Sequence, residues 1–262
     1  HRDLHSFPTR RSSDLDAIEG GWPDPTYAHI PLIHGADGAK LSKRHGALGV
    51  EAYRDEMGIL SDALFNYLLR LGWSHGDREE VTRAEAIELF DLSGVGKSPS
   101  RFDMKKLENL NGRYIREADD SLLVAEVLKR LGNGSDAKLL LKAMPSLKPR
   151  AKNLDELADS AKFLFAQTPL EMTEKAAKLL DEDGRARLAL VSTALAKEND
   201  WTIEALEATT KSLAEAQGLG LGKLAQPMRA ALTGTTTSPG IFDVLVLLGR
   251  DEALARLNAQ SA

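Results

Sequence analysis

Apolar positions recur along most of this chain with the period of a helix. Leu60, Ala63, Leu64, Tyr67, Leu68 and Leu71 fall at i, i+3, i+4, i+7, i+8 and i+11, which predicts an amphipathic helix stopping at Gly72. Thr82-Arg83-Ala84-Glu85 has the form of a capping box and opens a short helix to about Phe90. Ser100-Arg101-Phe102-Asp103 opens another, to about Asn111, and Val124, Val127, Leu128 and Leu131 form the next stripe, closed by Gly132. Between Leu139 and Lys152 the texture changes, because Pro145 and Pro149 are expected to interrupt helix formation. A helix is then predicted from near Asn153 to Phe165, with further helices around 171–180, 184–198 and 202–216.

Gly218 to Gly222 breaks the pattern, and Lys223 to Leu232 reads as a short helix carrying Pro227 in its early part. After a polar loop from Thr233 to Thr237, Ser238 reads as an N-cap with Pro239 at the first helical position. The apolar run Ile241 to Leu248 ends at Gly249, and a last helix is expected from about Asp251 to Asn258. Only Ala17 to Ile33, with its Gly20-Gly21-Trp22-Pro23 turn and the apolar stretch around His29 to Ile33, reads as turn and extended segment. The chain is therefore expected to be mainly α, a bundle or superhelical array of helices after a short opening segment.

Composition narrows the picture. At 262 residues the chain suggests one or two domains of roughly 150 residues each. Its 42% hydrophobic and 28% charged residues fit a globular chain with a full core. There is no cysteine, which excludes disulfides, thiolate zinc sites and thiol catalysis and fits a cytoplasmic location. No apolar run approaches the ~18 residues of a membrane span. The net charge of −5 means that an anionic partner has to be met by local basic patches. Residues 1–15, with Arg2, Arg10 and Arg11 and little periodicity, read as a non-native leader.

One such patch lies at Gly35-Ala36-Asp37-Gly38-Ala39-Lys40-Leu41-Ser42-Lys43-Arg44-His45-Gly46. Lys40, Lys43 and Arg44 surround the Ser42 hydroxyl between bracketing glycines, a composition suited to bending around a polyphosphate. A solvated basic turn has the same composition, so the residues alone leave both readings open. A second patch runs from Lys97 to Arg116, where Lys97, Arg101, Lys105, Lys106, Arg113 and Arg116 outnumber Asp103 and Glu108. It is a candidate phosphate-contacting face or an ordinary solvated helix face. A third, Lys142, Lys148, Arg150 and Lys152, has no intervening acid.

Other motifs fall away. Gly94-Val95-Gly96-Lys97-Ser98 resembles the end of a phosphate-binding P-loop, but its first glycine is replaced by Asp91 and Pro99 follows at once. His29, His34 and His45 lack metal-ligand spacing, so no protein-bound metal is expected. Glu79-Glu80 and Asp119-Asp120 sit at helix starts, where the helix dipole favours acids.

Lys40-Leu41-Ser42-Lys43-Arg44 resembles the KMSKS signature of class I aminoacyl-tRNA synthetases, in the KLSKR form typical of glutamyl-tRNA synthetases. The likeness extends in family order through Ala28 to Ile33, Leu68 to Ser74, Arg101 to Asp103, Lys106 to Asn111, Gln226 to Gly234 and Ser238 to Gly240. That collinearity is more specific than any one motif. It implies the end of a class I catalytic domain with its KMSKS-type loop and a helical tRNA-contacting region over residues 16–117, then an α-helical anticodon-binding domain over 118–262. It also implies a glutamate–tRNA ligase: ATP, with Mg2+ as its counter-ion, activates L-glutamate, and the glutamyl group passes to tRNA(Glu). Whether tRNA(Gln) is also charged stays open, and a monomer is expected.

In that mechanism Lys43 binds the ATP phosphates and stabilises charge as pyrophosphate departs, while Lys40, Leu41, Ser42 and Arg44 shape the loop. Arg101, Lys105, Lys106, Arg113, Arg150 and Lys152 are the candidate tRNA contacts, with Arg150 the candidate reader of unstacked anticodon bases. The nucleotide-binding half with its HIGH-type signature belongs upstream of this segment, and residues 1–15 match none of it. The chain therefore resembles the C-terminal part of a synthetase, expected to bind tRNA weakly and not to aminoacylate alone. The alternative is a non-catalytic helical RNA-binding protein of synthetase ancestry.

Overall fold

The computed structural model describes Gly20 and residues 30–42, 49–132 and 134–261. The leader expected over residues 1–15 lies outside them, as do Lys43 and Arg44. The described chain is mostly helical, with strand confined to two short pieces, β1 (Ile33–His34) and β2 (Ser100–Arg101).

The helices of the first part are α1 (Val50–Asp55), α2 (Ser61–Gly72), α3 (Arg83–Leu89) and α4 (Met104–Glu117). The predicted capping box opens α3: the Thr82 hydroxyl accepts from Glu85 N at 3.2 Å while the Glu85 carboxylate accepts from Thr82 N at 2.9 Å. Asp103 caps α4 by accepting from the amides of Lys105 and Lys106. That helix runs to Glu117, past the expected end near Asn111. Asn111 is fully buried and spends its amide on other segments, so it does not compete with its own helix for backbone bonds. Ser100 and Arg101, expected to open the helix, form β2 instead.

The second part contains α5 (Asp120–Leu131), α6 (Ala137–Leu147), α7 (Leu154–Ala161), α8 (Glu174–Ala177), α9 (Glu182–Leu195), α10 (Ile203–Ala216), α11 (Gly222–Thr233), α12 (Ile241–Leu248) and α13 (Arg250–Ser261). Four expectations need correction here. Pro145 does not interrupt α6 but lies inside its last turn. The carbonyl it deprives of a donor belongs to Leu141, a residue 44% exposed on the solvent side of the helix, while Met144 and Leu147 are buried. Ser238 does not cap α12. The N-cap is Gly240, and the Ser238 oxygens accept from Arg229. The helix expected over 171–180 shortens to α8, and α7 gives way at Lys162 to a 3₁₀ turn, Lys162–Leu164.

Most of the buried apolar surface forms one core from Ile115 to Leu257. Helix α9 packs along α13 and α11, while α6 and α7 flank α5. Leu140, Met144, Leu157, Leu188, Leu206, Leu224 and Met228 are each fully buried, worth about 1.5–3 kcal/mol apiece before entropy is charged. Two smaller cores serve the first part: Tyr53, Ile59, Leu64, Tyr67 and Leu107, and Trp73, Val81 and Ala86.

A polar clamp joins the first part to the second. Asn111 Oδ1 accepts from Leu60 N at 2.8 Å, and its Nδ2 donates to Lys152 O at 2.7 Å. Gly58 lies against the start of α7, its carbonyl accepting from Leu154 N at 2.9 Å. Its φ is +61°, and a Cβ there would stand 2.8 Å from Leu154 N, so only glycine fits. Arg130 adds a second tie, with Nε 2.8 Å from Asp155 Oδ1 and Nη2 3.1 Å from Arg54 O.

Candidate nucleic-acid interface

The stem of the basic loop is built on β1. His34 pairs in parallel with Arg101 on one side and bridges Lys40 in antiparallel sense on the other. Between them Gly35 N donates to Ala39 O at 2.8 Å and Leu41 N to Ile33 O at 2.9 Å. The turn closes at Gly38, whose φ is +79°, with Ala39 N donating to Asp37 Oδ1 at 3.0 Å. Residues opposite one another in a ladder share a face, so Lys40, His34 and Arg101 stand side by side. The guanidinium of Arg101 reaches back over the turn, 3.5 Å from where a Cβ on Gly38 would sit. Lys40 is exposed and Leu41 and Ser42 are half-buried. Lys43 and Arg44, the next positions, lie outside the described residues.

Below this stem, β2 leads straight into α4. Lys105, Lys106, Arg113 and Arg116 fall on one side of α4, opposite the buried Leu107, Asn111 and Ile115. Lys105, Lys106 and Arg116 are exposed. Arg113 is engaged, its guanidinium paired with Glu80 and lying 3.4 Å from Glu79 Oε2. Tyr67 fixes the start of the helix, its hydroxyl donating to Asp103 O at 3.0 Å. Burial raises the Tyr67 phenol above its ordinary pKa, which keeps it a donor. The decoy at Gly94 to Ser98 offers no phosphate cradle, since the amides of Gly94, Val95 and Gly96 all donate to backbone carbonyls.

The third basic patch divides in two. Lys148 turns inward, with Nζ 2.7 Å from both Ala118 O and Asp120 Oδ1, and is lost to any partner. Arg150, in the 3₁₀ turn Lys148–Arg150, instead stands at the lip of a cleft of about 960 Å³. One wall of the cleft is Phe163 to Glu171 and the other Thr233 to Pro239, with Glu156, Asp159, Ser160 and Lys162 lining it as well, so its charge is mixed. Lys152 is exposed nearby and its backbone N donates to Glu156 Oε2 at 2.9 Å.

Arg150 does not act alone. Its Nη1 donates to the carbonyl of Ser238, and so does Nη1 of Arg229, at 3.1 Å. Arg229 also donates to the Ser238 hydroxyl and to Pro239 O at 2.8 Å. Two guanidinium groups thus converge on one carbonyl: Arg150 lines the cleft itself, while Arg229 stands behind its lining and is tied to it through Ser238 and Pro239, and neither forms an ion pair with a carboxylate among the described residues. Burial, and then the positive charge of Arg150, hold the Arg229 pKa below its ordinary value. Such a pair gains free energy from an incoming phosphate or an electron-rich base edge. Sequence reasoning found Arg150 but missed Arg229 and Ser238, because Ser238-Pro239 looks like a helix start. The available signal was Arg229 itself, a cation at an otherwise apolar stretch of α11.

Residues 122–260, more than half of the chain, match the family model of an anticodon binding domain. Residues 15–109 match that of the class I tRNA synthetase catalytic domain for glutamate and glutamine. The chain belongs to the glutamyl-tRNA synthetase family. It is 73% identical over 247 residues to glutamate–tRNA ligase 1 of Erythrobacter litoralis, covering 94% of this chain and 51% of that protein. With glutamate–tRNA ligase 2 of Novosphingobium aromaticivorans the identity is 62% over 255 residues, covering 95% and 52%. A crystal structure of a glutamate tRNA ligase from Elizabethkingia meningosepticum superposes with a TM-score of 0.79 at 28% identity, over 94% of this chain and 53% of that one. The chain spans about half the length of the curated relatives it matches. Within the synthetase family frame, the stem of the basic loop falls in the catalytic segment and the two-arginine cleft in the anticodon domain.

Proposed function

We propose that this chain serves a glutamate–tRNA ligase, which uses ATP to activate L-glutamate and passes the glutamyl group to tRNA(Glu) in the cytoplasm. The observation that carries the reading is the convergence of Arg150 and Arg229 on Ser238 at the mouth of a cleft within an anticodon-binding domain. An unstacked anticodon base entering the cleft would meet Arg150 and the Thr235, Thr237 and Ser238 hydroxyls on one side and the Phe163 to Glu171 wall on the other. Residues 16–117 then form the end of the catalytic domain and its tRNA-contacting helices, and 118–262 the anticodon domain. The exposed face of α4, with Lys105 and Lys106, and Arg101 of β2 just before it follow the phosphate backbone between the two. Lys152 lies on the same path. Arg113, held by Glu79 and Glu80, serves it less.

At the other end, Lys40, Leu41, Ser42, Lys43 and Arg44 form the ATP loop, rooted on the β1 ladder described above. Lys43 is the residue assigned to the phosphates: a cation delivered there favours the state in which charge builds on departing pyrophosphate. Mg2+ arrives with ATP. No group of His, Asp or Glu among the described residues could hold a metal ion by itself. The ligase works as a monomer, and tRNA(Gln) is a second acceptor only if the cleft tolerates its anticodon. In a ligase carrying both halves, Lys43→Ala lowers adenylate formation by about a hundredfold or more while leaving tRNA affinity within about twofold. ATP–pyrophosphate exchange and tRNA titration check this, and equal loss of both would remove Lys43 from the role.

A further inference from the structure

Arg256 is the most deeply buried cation described, 2% exposed on α13 at the floor of the helical domain. Its Nε lies 2.6 Å from Glu252 Oε1 one turn earlier. The rest of the guanidinium goes to backbone carbonyls on two separate segments. Nη1 donates to Phe163 O at 2.9 Å and to Leu232 O at 2.8 Å, and Nη2 donates to Ala166 O at 2.9 Å. Phe163 and Ala166 belong to one wall of the two-arginine cleft. Leu232 is the residue before Thr233, where the other wall begins. Both segments end in orphan carbonyls, those of the 3₁₀ turn Lys162–Leu164 and of α11, and a buried cation satisfies both sets at once.

The consequence reaches the reading residues through the backbone. Leu232 O lies in the last turn of α11, and the Thr233 hydroxyl donates back to Arg229 O at 2.8 Å. Arg256 therefore fixes the turn that presents Arg229, and against it the Phe163–Ala166 wall. Just past the cleft, Thr173 N donates to Gly234 O at 2.9 Å and ties the same two segments again. We propose that Arg256 is a positioning residue for nucleotide discrimination: it touches no nucleotide, but sets the separation of the cleft walls and the aim of Arg229 and Ser238. This rests on the cleft being the anticodon site. A planar fork spanning three carbonyls cannot be replaced by the single ammonium of lysine, so Arg256→Lys leaves a buried charge but loosens the walls.

The test is binding of tRNA(Glu), and of the same tRNA with one anticodon base replaced, to the full 262-residue chain and its variants over a range of salt. In a variant that still melts cooperatively, R256K lowers the cognate-to-substituted affinity ratio by about tenfold, while the salt slope stays as in the parent because no phosphate contact is lost. A general loss of stability would instead weaken both tRNAs alike. Should R256K not fold, E252A decides: it removes only the Nε partner on a half-exposed side chain, and lowers the same ratio by about threefold. An unchanged ratio in folded R256K, or in E252A when R256K does not fold, overturns the proposal. If the parent chain itself does not discriminate the two tRNAs, it is the assignment of the cleft that fails.

Discussion

Asp119 shows how a single carboxylate ties pH to the helical domain. It caps α5, accepting from the amides of Ser121 at 2.8 Å and Leu122 at 3.4 Å and from the Ser121 hydroxyl. The Ser121 hydroxyl first, and then the two amides, hold its pKa below the ordinary carboxylate value. Because the folded value is depressed, the charge stabilises the fold above the unfolded pKa of about 3.9 and the contribution is lost as pH falls through the folded value. Glu85 and Asp91 behave alike for the same kind of reason. Asp119→Asn keeps a capping oxygen but removes the titration. Circular dichroism melts should show that variant losing less melting temperature than the parent as pH falls below about 4. An identical acid limb would mean that the cap does not couple to global stability.

At the scale of elements, the junction between α2, α4 and α7 carries the sharpest consequence. Asn111 is fully buried, and it bonds a loop before α2 and the segment entering α7. Asn111→Ala leaves Leu60 N and Lys152 O without partners, at a cost of about 3 kcal/mol in urea unfolding. Asn109→Ala, exposed on the same helix, serves as the control within about 0.5 kcal/mol. The helices themselves were legible because each satisfies a local rule: the α2 stripe, the Thr82–Glu85 box, the glycine after α5. Asn111 was not, since its partners lie 51 and 41 residues away and no spacing encodes them. Pro145 misled because a local rule ignores that Leu141 lies on the solvent side of the helix, and Ser238 misled because its side chain is claimed by a residue of another helix. The basic loop was legible as a motif, whereas Arg229 joined the site only once the backbone brought α11 beside Arg150.

On the scale of the whole molecule, an acidic chain of net charge −5 has to meet a polyanion with local features. Under the proposed function it would do so at two ends, the Lys40–Arg101 ladder in the catalytic segment and the Arg150–Arg229 pair in the anticodon domain, with the cationic side of α4 between them. The Asn111 and Arg130 ties hold these ends in one fixed relation. No helix among the described residues is long and apolar enough to cross a membrane. The central claim, that the two-arginine cleft receives the anticodon, is tested most directly by fluorescence anisotropy with a labelled anticodon stem-loop of tRNA(Glu). The account predicts that Arg229→Ala, still folded, binds the stem-loop about tenfold more weakly and loses the penalty that the parent shows for a replaced anticodon base. A folded Arg229→Ala that matched the parent in both affinity and base preference would contradict it.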